Sequence, residues 1–198
     1  MAITTEQIKE LRDSTGVSVM QCKYALEESG GDMNKALLIL KKRSADIAAK
    51  KGDRSLGAGI VSAYIHGAGA VGAMVLLSCE TDFVAKNEEF KNLAYDIAMQ
   101  VAATCPEFGK EEDITEESKK VVREMFLKDV ADLKKDEAMK DKILDGKVEA
   151  YFKDKILLEQ PFIKDESITV KALIEKFVQK FGERIEVSIF SRFSVSGK

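Results

Sequence analysis

Apolar residues recur at intervals of three and four over the first fifty positions, and polar residues divide them into three short segments. Thr4 and Ser18 each precede a glutamine by three residues, which is the spacing of a capping box at the start of a helix. Asp32 is placed to cap the third segment. The pattern predicts a bundle of three short helices over residues 1–52, followed by a polar linker at residues 50–55.

Extended apolar runs follow at residues 57–66 and 71–79, on either side of a turn rich in glycine at residues 67–70. Two such runs joined by a short glycine-containing turn predict an antiparallel hairpin, which we place at residues 57–80. Apolar and polar residues alternate again over residues 184–195. This period of two predicts a third strand.

Helical periodicity accounts for most of the remaining chain. Asn87 is placed to cap a helix over residues 87–105, which carries one apolar stripe. Residues 115–159 are highly charged with two apolar rows and predict a helical hairpin, and residues 169–181 predict a last helix. The predicted fold class is α+β, with a core domain over residues 53–198 in which a small three-stranded antiparallel sheet packs with helices. The apolar rows of the helical hairpin are Val122, Met125, Phe126, Val130 and Leu133, then Met139, Ile143, Tyr151, Phe152 and Ile156.

Charge and cysteine usage narrow the classes of function. The 198 residues include 31 Lys and Arg against 34 Asp and Glu, so no overall positive field favours direct nucleic-acid binding. Cys22, Cys79 and Cys105 show no C-x-x-C spacing, which argues against a zinc site or a disulfide framework. The longest apolar run, Ala70–Leu77, is too short to span a bilayer. We expect a cytoplasmic protein without metal or cofactor.

Two patterns raise the question of enzyme activity. Residues 67–72 match G-x-G-x-x-G, which would bind a dinucleotide if a long helix followed. An acidic turn follows too soon for such a helix, so a dinucleotide-dependent enzyme rests on the glycines alone. His66 and Cys79 lie far apart along the predicted ladder, which disfavours a catalytic pair. His66 could instead contact a partner or remain solvated, and we predict no catalytic residues and no enzyme.

An aromatic residue directly after an acidic turn is unusual, and the sequence Thr81-Asp82-Phe83-Val84 contains one. One interpretation is that Asp82 caps a short helical turn and Phe83 packs beneath it. The next helix, however, already has its cap at Asn87 and a full apolar stripe, so Phe83 is surplus. An exposed aromatic at a strand end can anchor an interface by burying on the order of 200 Å².

Two stretches of the chain resemble the bacterial elongation factor Ts family. They are LRDSTGVSVMQCKYAL at residues 11–26 and LSCETDFVAKNEEF at residues 77–90, and the match continues through residues 50–51 and 160–162. Members of this family are guanine-nucleotide exchange factors that release GDP from elongation factor Tu. The resemblance therefore implies a translation elongation factor whose partner is that GTPase, with a ubiquitin-associated-like N-terminal bundle.

The resemblance also implies which residues bind the partner. The turn after the hairpin would reach the nucleotide-binding domain, with its aromatic wedged between helices near the Mg²⁺ and phosphate sites. The N-terminal bundle would dock on the same domain, although this chain has Val19-Met20 where the family has Met-Met. The hairpin tip resembles one that approaches the partner in longer members. The implied residues are Thr81, Asp82, Phe83 and Val84 in the turn, Arg12, Val19, Met20 and Lys23 in the bundle, and His66 and Gly67 at the tip.

Length is the main departure from the longer members of the family. Those proteins carry two related core subdomains and a coiled-coil insertion, whereas this chain combines elements of both in one core. We therefore expect a homodimer in which each elongation factor Tu touches both chains. A generic helical docking module remains as an alternative, and it requires that residues 1–52 alone suffice for activity.

Overall fold

The structure, a computed structural model, describes residues 3–50, 55–131, 133 and 136–197. Its class is α+β, as predicted, with eight α-helices among the described residues. Most of the predicted linker at residues 50–55 lies outside the described residues. The proposed boundary between residues 52 and 53 lies outside them too, so the division into two domains stays a prediction.

Helices α1 (Thr5–Thr15), α2 (Val19–Glu28) and α3 (Met33–Lys50) confirm the predicted N-terminal helices. Polar caps set their starts: the side chains of Thr4, Ser18 and Asp32 each accept a hydrogen bond from a backbone N–H three residues later. Ubiquitin-associated-like architecture remains a prediction. The buried apolar residues of the bundle are Leu11, Val17, Cys22, Ala25, Leu26, Ala36 and Leu40.

Strands β1 (Ala58–His66) and β2 (Val71–Cys79) form the predicted hairpin, and the later strand β5 (Ile185–Ser194) completes a three-stranded antiparallel sheet. The strand order is β1-β2-β5, so β2 is central. Backbones approach closely at Gly59, where an added Cβ would stand 2.6 Å from the carbonyl oxygen of Leu77. A side chain at this position would clash with the backbone of the neighbouring strand.

The helical hairpin consists of α6 (Glu116–Ala131) and α7 (Glu137–Lys155), as predicted, but its apolar rows were partly wrong. Met125, Leu133 and Met139 are exposed by 52%, 37% and 45%. The inward rows advance in steps of four, which places the exposed residues off the buried face. The inward rows are Val122, Phe126 and Val130 on α6 and Leu144, Val148 and Phe152 on α7.

A small second sheet was not predicted. Strands β3 (Pro161–Phe162) and β4 (Asp165–Thr169) pair antiparallel between the predicted helical hairpin and the predicted last helix. The buried Gln100 stabilises this turn: its Nε2 donates to the Pro161 carbonyl at 3.1 Å, and its Oε1 accepts from the Ile163 N–H at 2.9 Å. A two-residue strand is too short to show a period of two in the sequence.

The remaining helices are α4 (Asp82–Ala85), α5 (Glu88–Thr104) and α8 (Val170–Phe181). The chain divides into two compact units. The first contains the N-terminal bundle, α4 and most of α8, and within it the buried Gln179 donates from Nε2 to the Leu40 carbonyl at 3.0 Å. The second contains the hairpin tip, α6 and α7. The first comprises Met1–Ser62, Val75–Asp96 and Ala172–Ser188, and the second Ala63–Met74, Ile97–Lys171 and Ile189–Lys198.

Candidate functional site

The side chain of Phe83 stands in solvent, with 83% of its surface exposed. The next two residues of α4, Val84 and Ala85, are buried, so the turn is fixed on its inner side while the ring lies on its outer side. The interpretation in which Asp82 caps the turn and Phe83 packs beneath it is wrong. Thr81 is the cap, since its Oγ1 accepts from the Val84 N–H at 3.5 Å.

The segment between β2 and α4 is held by the carboxylate of Glu183, which follows Thr81 by 102 residues. Glu183 Oε2 accepts from the N–H groups of Glu80 and Thr81 at 3.2 and 3.0 Å, and its Oε1 accepts from the Thr81 hydroxyl at 2.6 Å. A reciprocal bond runs from the Arg184 N–H to Glu80 Oε1 at 2.7 Å. The thiol of Cys79 donates to the Thr81 carbonyl at 3.3 Å. Thr81 is therefore bound through its amide, hydroxyl and carbonyl.

Electrostatics keep the nearby cysteine protonated. Burial, and then the negative charge of Glu183, raise the pKa of the Cys79 thiol above its usual range. Burial also raises the pKa of Cys22 in the N-terminal bundle. Asp82 lies 3.6 Å from Lys86, but both side chains are largely exposed, so this ion pair contributes little to stability.

We expect the three thiols to differ in reactivity. Cys22 and Cys79 are fully buried with raised pKa values, so little thiolate forms at neutral pH, whereas Cys105 is half-buried. Ellman's reagent at pH 7.5 should therefore label Cys105 in the folded protein at least about tenfold faster than the other two. Peptide mass spectrometry would assign the sites, and urea-unfolded protein is the control. Rapid labelling of Cys79 in the folded protein would contradict this expectation.

The predicted contact residues of the N-terminal bundle lie on its surface. Val19 and Met20 are exposed by 49% and 54% at the start of α2, and Lys23 one turn later lies 3.8 Å from Glu27. Arg12 on α1 is also exposed. Sequence reasoning missed Tyr24, which is 51% exposed. Its position four residues after Met20 places both on one helical face, and that spacing was the available signal.

The hairpin tip presents His66 and Gly67 to solvent. The Nδ1 atom of His66 lies 2.9 Å from the Tyr64 hydroxyl, and the two rings stack with their centroids 5.9 Å apart. The chain then reverses through Gly67 and Ala68, both with left-handed backbone angles. A strand follows the glycines where a dinucleotide-binding turn requires a helix, so the G-x-G-x-x-G match is a hairpin turn.

An apolar patch on the three-stranded sheet was also missed. Ile65, Met74, Phe193 and Val195 are exposed by 65%, 48%, 67% and 86%, and they line a shallow groove of about 430 Å³. We term these four residues the sheet face. The alternation of apolar and polar residues in β5 predicted a strand but did not predict the exposure of Phe193. In β5 buried and exposed residues stop alternating at Ser188 and Ile189, which are both exposed.

Within residues 3–50, 55–131, 133 and 136–197, no three His, Cys, Asp or Glu side chains cluster so that they could hold a metal ion. Across the same residues, no helix is both long and apolar enough to cross a membrane.

The comparisons with known proteins all point to one family. The family model described as Elongation factor TS matches residues 46–197. The chain is 46% identical over 193 residues to Elongation factor Ts of Carboxydothermus hydrogenoformans, covering 98% of the chain and 89% of that protein. It is 47% identical over 195 residues to the protein of the same name from Thermodesulfovibrio yellowstonii, covering 98% and 97%. These relatives extend the similarity over the N-terminal helices that the family model does not reach.

Proposed function

Because the chain belongs to the elongation factor Ts family of translation elongation factors, we propose that it is a guanine-nucleotide exchange factor that releases GDP from elongation factor Tu. The observation that carries the proposal is the exposure of Phe83 on a turn anchored at the end of a central strand. Single exposed apolar side chains are common on proteins. Here the segment that presents the ring is held by the Glu183 carboxylate and by the Thr81 cap.

Exchange requires a difference in affinity between two states of the partner. We propose that the Phe83 ring fits between helices of elongation factor Tu only when the Mg²⁺ and phosphate loops are displaced, so it binds the emptied form better. Burying a phenylalanine contributes about 2 kcal/mol, which corresponds to a preference of roughly 30-fold. By reciprocity, bound nucleotide lowers the affinity of this protein for elongation factor Tu by the same factor. Such a mechanism needs no catalytic acid, base or nucleophile.

The other predicted residues would supply affinity. We propose that Arg12, Val19, Met20 and Lys23, joined by Tyr24, dock on the nucleotide-binding domain of the partner, because they are exposed on the surface of one small bundle. His66 and Gly67 would form a further contact at the hairpin tip. Contacts made equally in every state tighten binding without favouring nucleotide release, so the exchange activity itself would depend on the turn at Asp82 and Phe83.

We further propose that the active form is a homodimer joined through the sheet face. All four residues of the sheet face are apolar and uncharged, so two copies can meet there without like-charge repulsion. A two-fold axis would pack each sheet on its copy in the face-to-face arrangement of a β-sandwich. The dimer would supply the second core that longer family members carry within one chain.

The test of the exchange proposal is the release of a fluorescent GDP from purified elongation factor Tu. We expect the full chain, at concentrations well below those of the partner, to accelerate release over the spontaneous rate, because each molecule acts repeatedly. Failure to accelerate release at equimolar concentration would contradict the proposal. Full activity of residues 1–52 alone would favour the docking-module alternative, and a thermal shift with NAD would favour the dinucleotide enzyme.

A further inference from the structure

We infer that Glu183 is a positioning residue for exchange, whose carboxylate holds the turn that presents Phe83; this inference rests on the proposed function. Glu183 lies between α8 and β5, more than one hundred residues from the turn along the chain, and nothing in its local sequence marks it as functional. Its three hydrogen bonds all end on Glu80 and Thr81, the two residues that join β2 to α4.

The hydrogen bonds of the Glu183 carboxylate restrain both the backbone of the turn and the side chain of Thr81. The two N–H bonds fix the backbone of Glu80 and Thr81 where β2 ends. The hydroxyl of Thr81 has one proton, and donating it to Glu183 at 2.6 Å leaves an oxygen lone pair directed at the Val84 N–H. The carboxylate therefore orients the cap of α4, and α4 carries the ring. Hydrogen bonds to an ionised acceptor are about twice as strong as neutral ones.

Glu183 is itself held on both sides. Gly182 ends α8 in a left-handed conformation with φ of 70°, and its N–H donates to the Val178 carbonyl at 2.9 Å. On the other side, β5 begins with the buried Ile185. The bond from the Arg184 N–H to the Glu80 carboxylate crosses in the opposite direction. Each of these two glutamates thus accepts hydrogen bonds from the other segment, which links the two segments from both sides.

Loss of the Glu183 hydrogen bonds would leave the Phe83 ring attached but poorly oriented. The buried Val84 and Ala85 would still hold the inner side of α4, so we expect the fold to survive. The outer side would sample several orientations, and the partner would have to select one of them. This loss of preorganisation lowers the rate of productive binding.

A double-mutant cycle separates a positioning role from a general structural one. Glu183→Gln keeps the size of the side chain but replaces one acceptor oxygen by a donor, so it cannot accept all three bonds. We expect Glu183→Gln to lower kcat/KM for stimulated GDP release about tenfold, the loss typical of a charged hydrogen bond. In the Phe83→Ala background the same change should cost less than about twofold, because the ring it orients is absent.

Two variants at Thr81 and one matched control strengthen the cycle. Thr81→Val removes the hydroxyl, and with it both the bond to Glu183 and the cap on the Val84 N–H, so it should lose at least as much activity as Glu183→Gln. Thr81→Ser keeps the hydroxyl and should retain activity. Glu166→Gln, which removes the same charge from an exposed position on β4, is the matched control and should leave kcat/KM unchanged. If Glu183→Gln prevents folding, Glu183→Asp takes its place in the cycle, because it keeps the charge but shortens the reach of the carboxylate to Thr81.

Amide hydrogen exchange supplies a readout that does not depend on the partner. Glu183→Gln should accelerate exchange of the N–H groups of residues 80–84 while leaving the N-terminal helices unchanged. An equal loss of activity with and without the Phe83 ring, or unchanged protection of the turn, would overturn the positioning role. If the Phe83→Ala variant stimulated GDP release normally, the proposed exchange mechanism would be wrong. The amide exchange data would still show whether Glu183 orders the turn.

Discussion

Phe83→Ala is expected to lower kcat/KM for stimulated GDP release from elongation factor Tu roughly 30- to 100-fold. The ring is 83% exposed in the isolated protein, so it can contribute fully to a contact in the complex. Truncating a buried aromatic anchor at an interface commonly costs 2 kcal/mol or more, about 30-fold in rate constant. Because the ring makes little contact within its own chain, the melting temperature should change by no more than about 2 °C.

Graded variants make this test specific. Phe83→Leu keeps an apolar side chain of smaller size and should fall between the wild type and alanine. Val121→Ala truncates another exposed apolar residue, 60% exposed on α6, and should have no effect. Normal stimulation by Phe83→Ala at matched stability would remove the ring from the mechanism, whatever else the protein does to elongation factor Tu.

Phe193→Glu is expected to convert the proposed homodimer into a monomer. Two glutamates, one from each copy, would be placed in an apolar contact without partners, and their desolvation and mutual repulsion should weaken dimerisation more than about 100-fold. Phe193 is 67% exposed, so the folded chain itself tolerates the charge. Light scattering at micromolar concentration should show twice the chain mass for the wild type and the single chain mass for the variant.

The control for this experiment introduces the same charge elsewhere. Val121→Glu replaces an exposed apolar residue outside the sheet face, and it should leave the dimer intact. A monomeric wild type would refute the dimer, and a dimeric Phe193→Glu would exclude the sheet face as its contact. If the dimer is required for exchange, Phe193→Glu should also lose activity in proportion to its dissociation.

Local signals predicted most of the elements in this fold. Thr4, Ser18, Asp32 and Asn87 mark helix starts because their side chains satisfy backbone N–H groups that the helix leaves open. The hairpin follows from two apolar runs on either side of a glycine-rich turn, and α5 follows from apolar residues at intervals of three and four. The exposure of Phe83 followed from a different argument, that the neighbouring helix had no room left for it.

The features that escaped prediction depend on contacts that are distant in sequence or on elements that are very short. Gln100 builds the β3–β4 turn from 63 residues away, measured to Ile163. Thr81, and not Asp82, caps α4, because Thr81 extends from the strand while Asp82 already has helical geometry. Glu183 reaches Thr81 across 102 residues. No pattern in a single sequence pairs such positions.

The position of Glu183 in the chain affects how the protein becomes active during synthesis. Strand β2 and the Phe83 turn leave the ribosome first, but the third strand of their sheet and the carboxylate that fixes Thr81 follow 102 residues later. At bacterial rates of about 5 to 20 residues per second, this interval lasts roughly 5 to 20 seconds. A nascent chain therefore carries the ring before its support, and we expect any exchange activity to arise only after Glu183 and β5 have been synthesised.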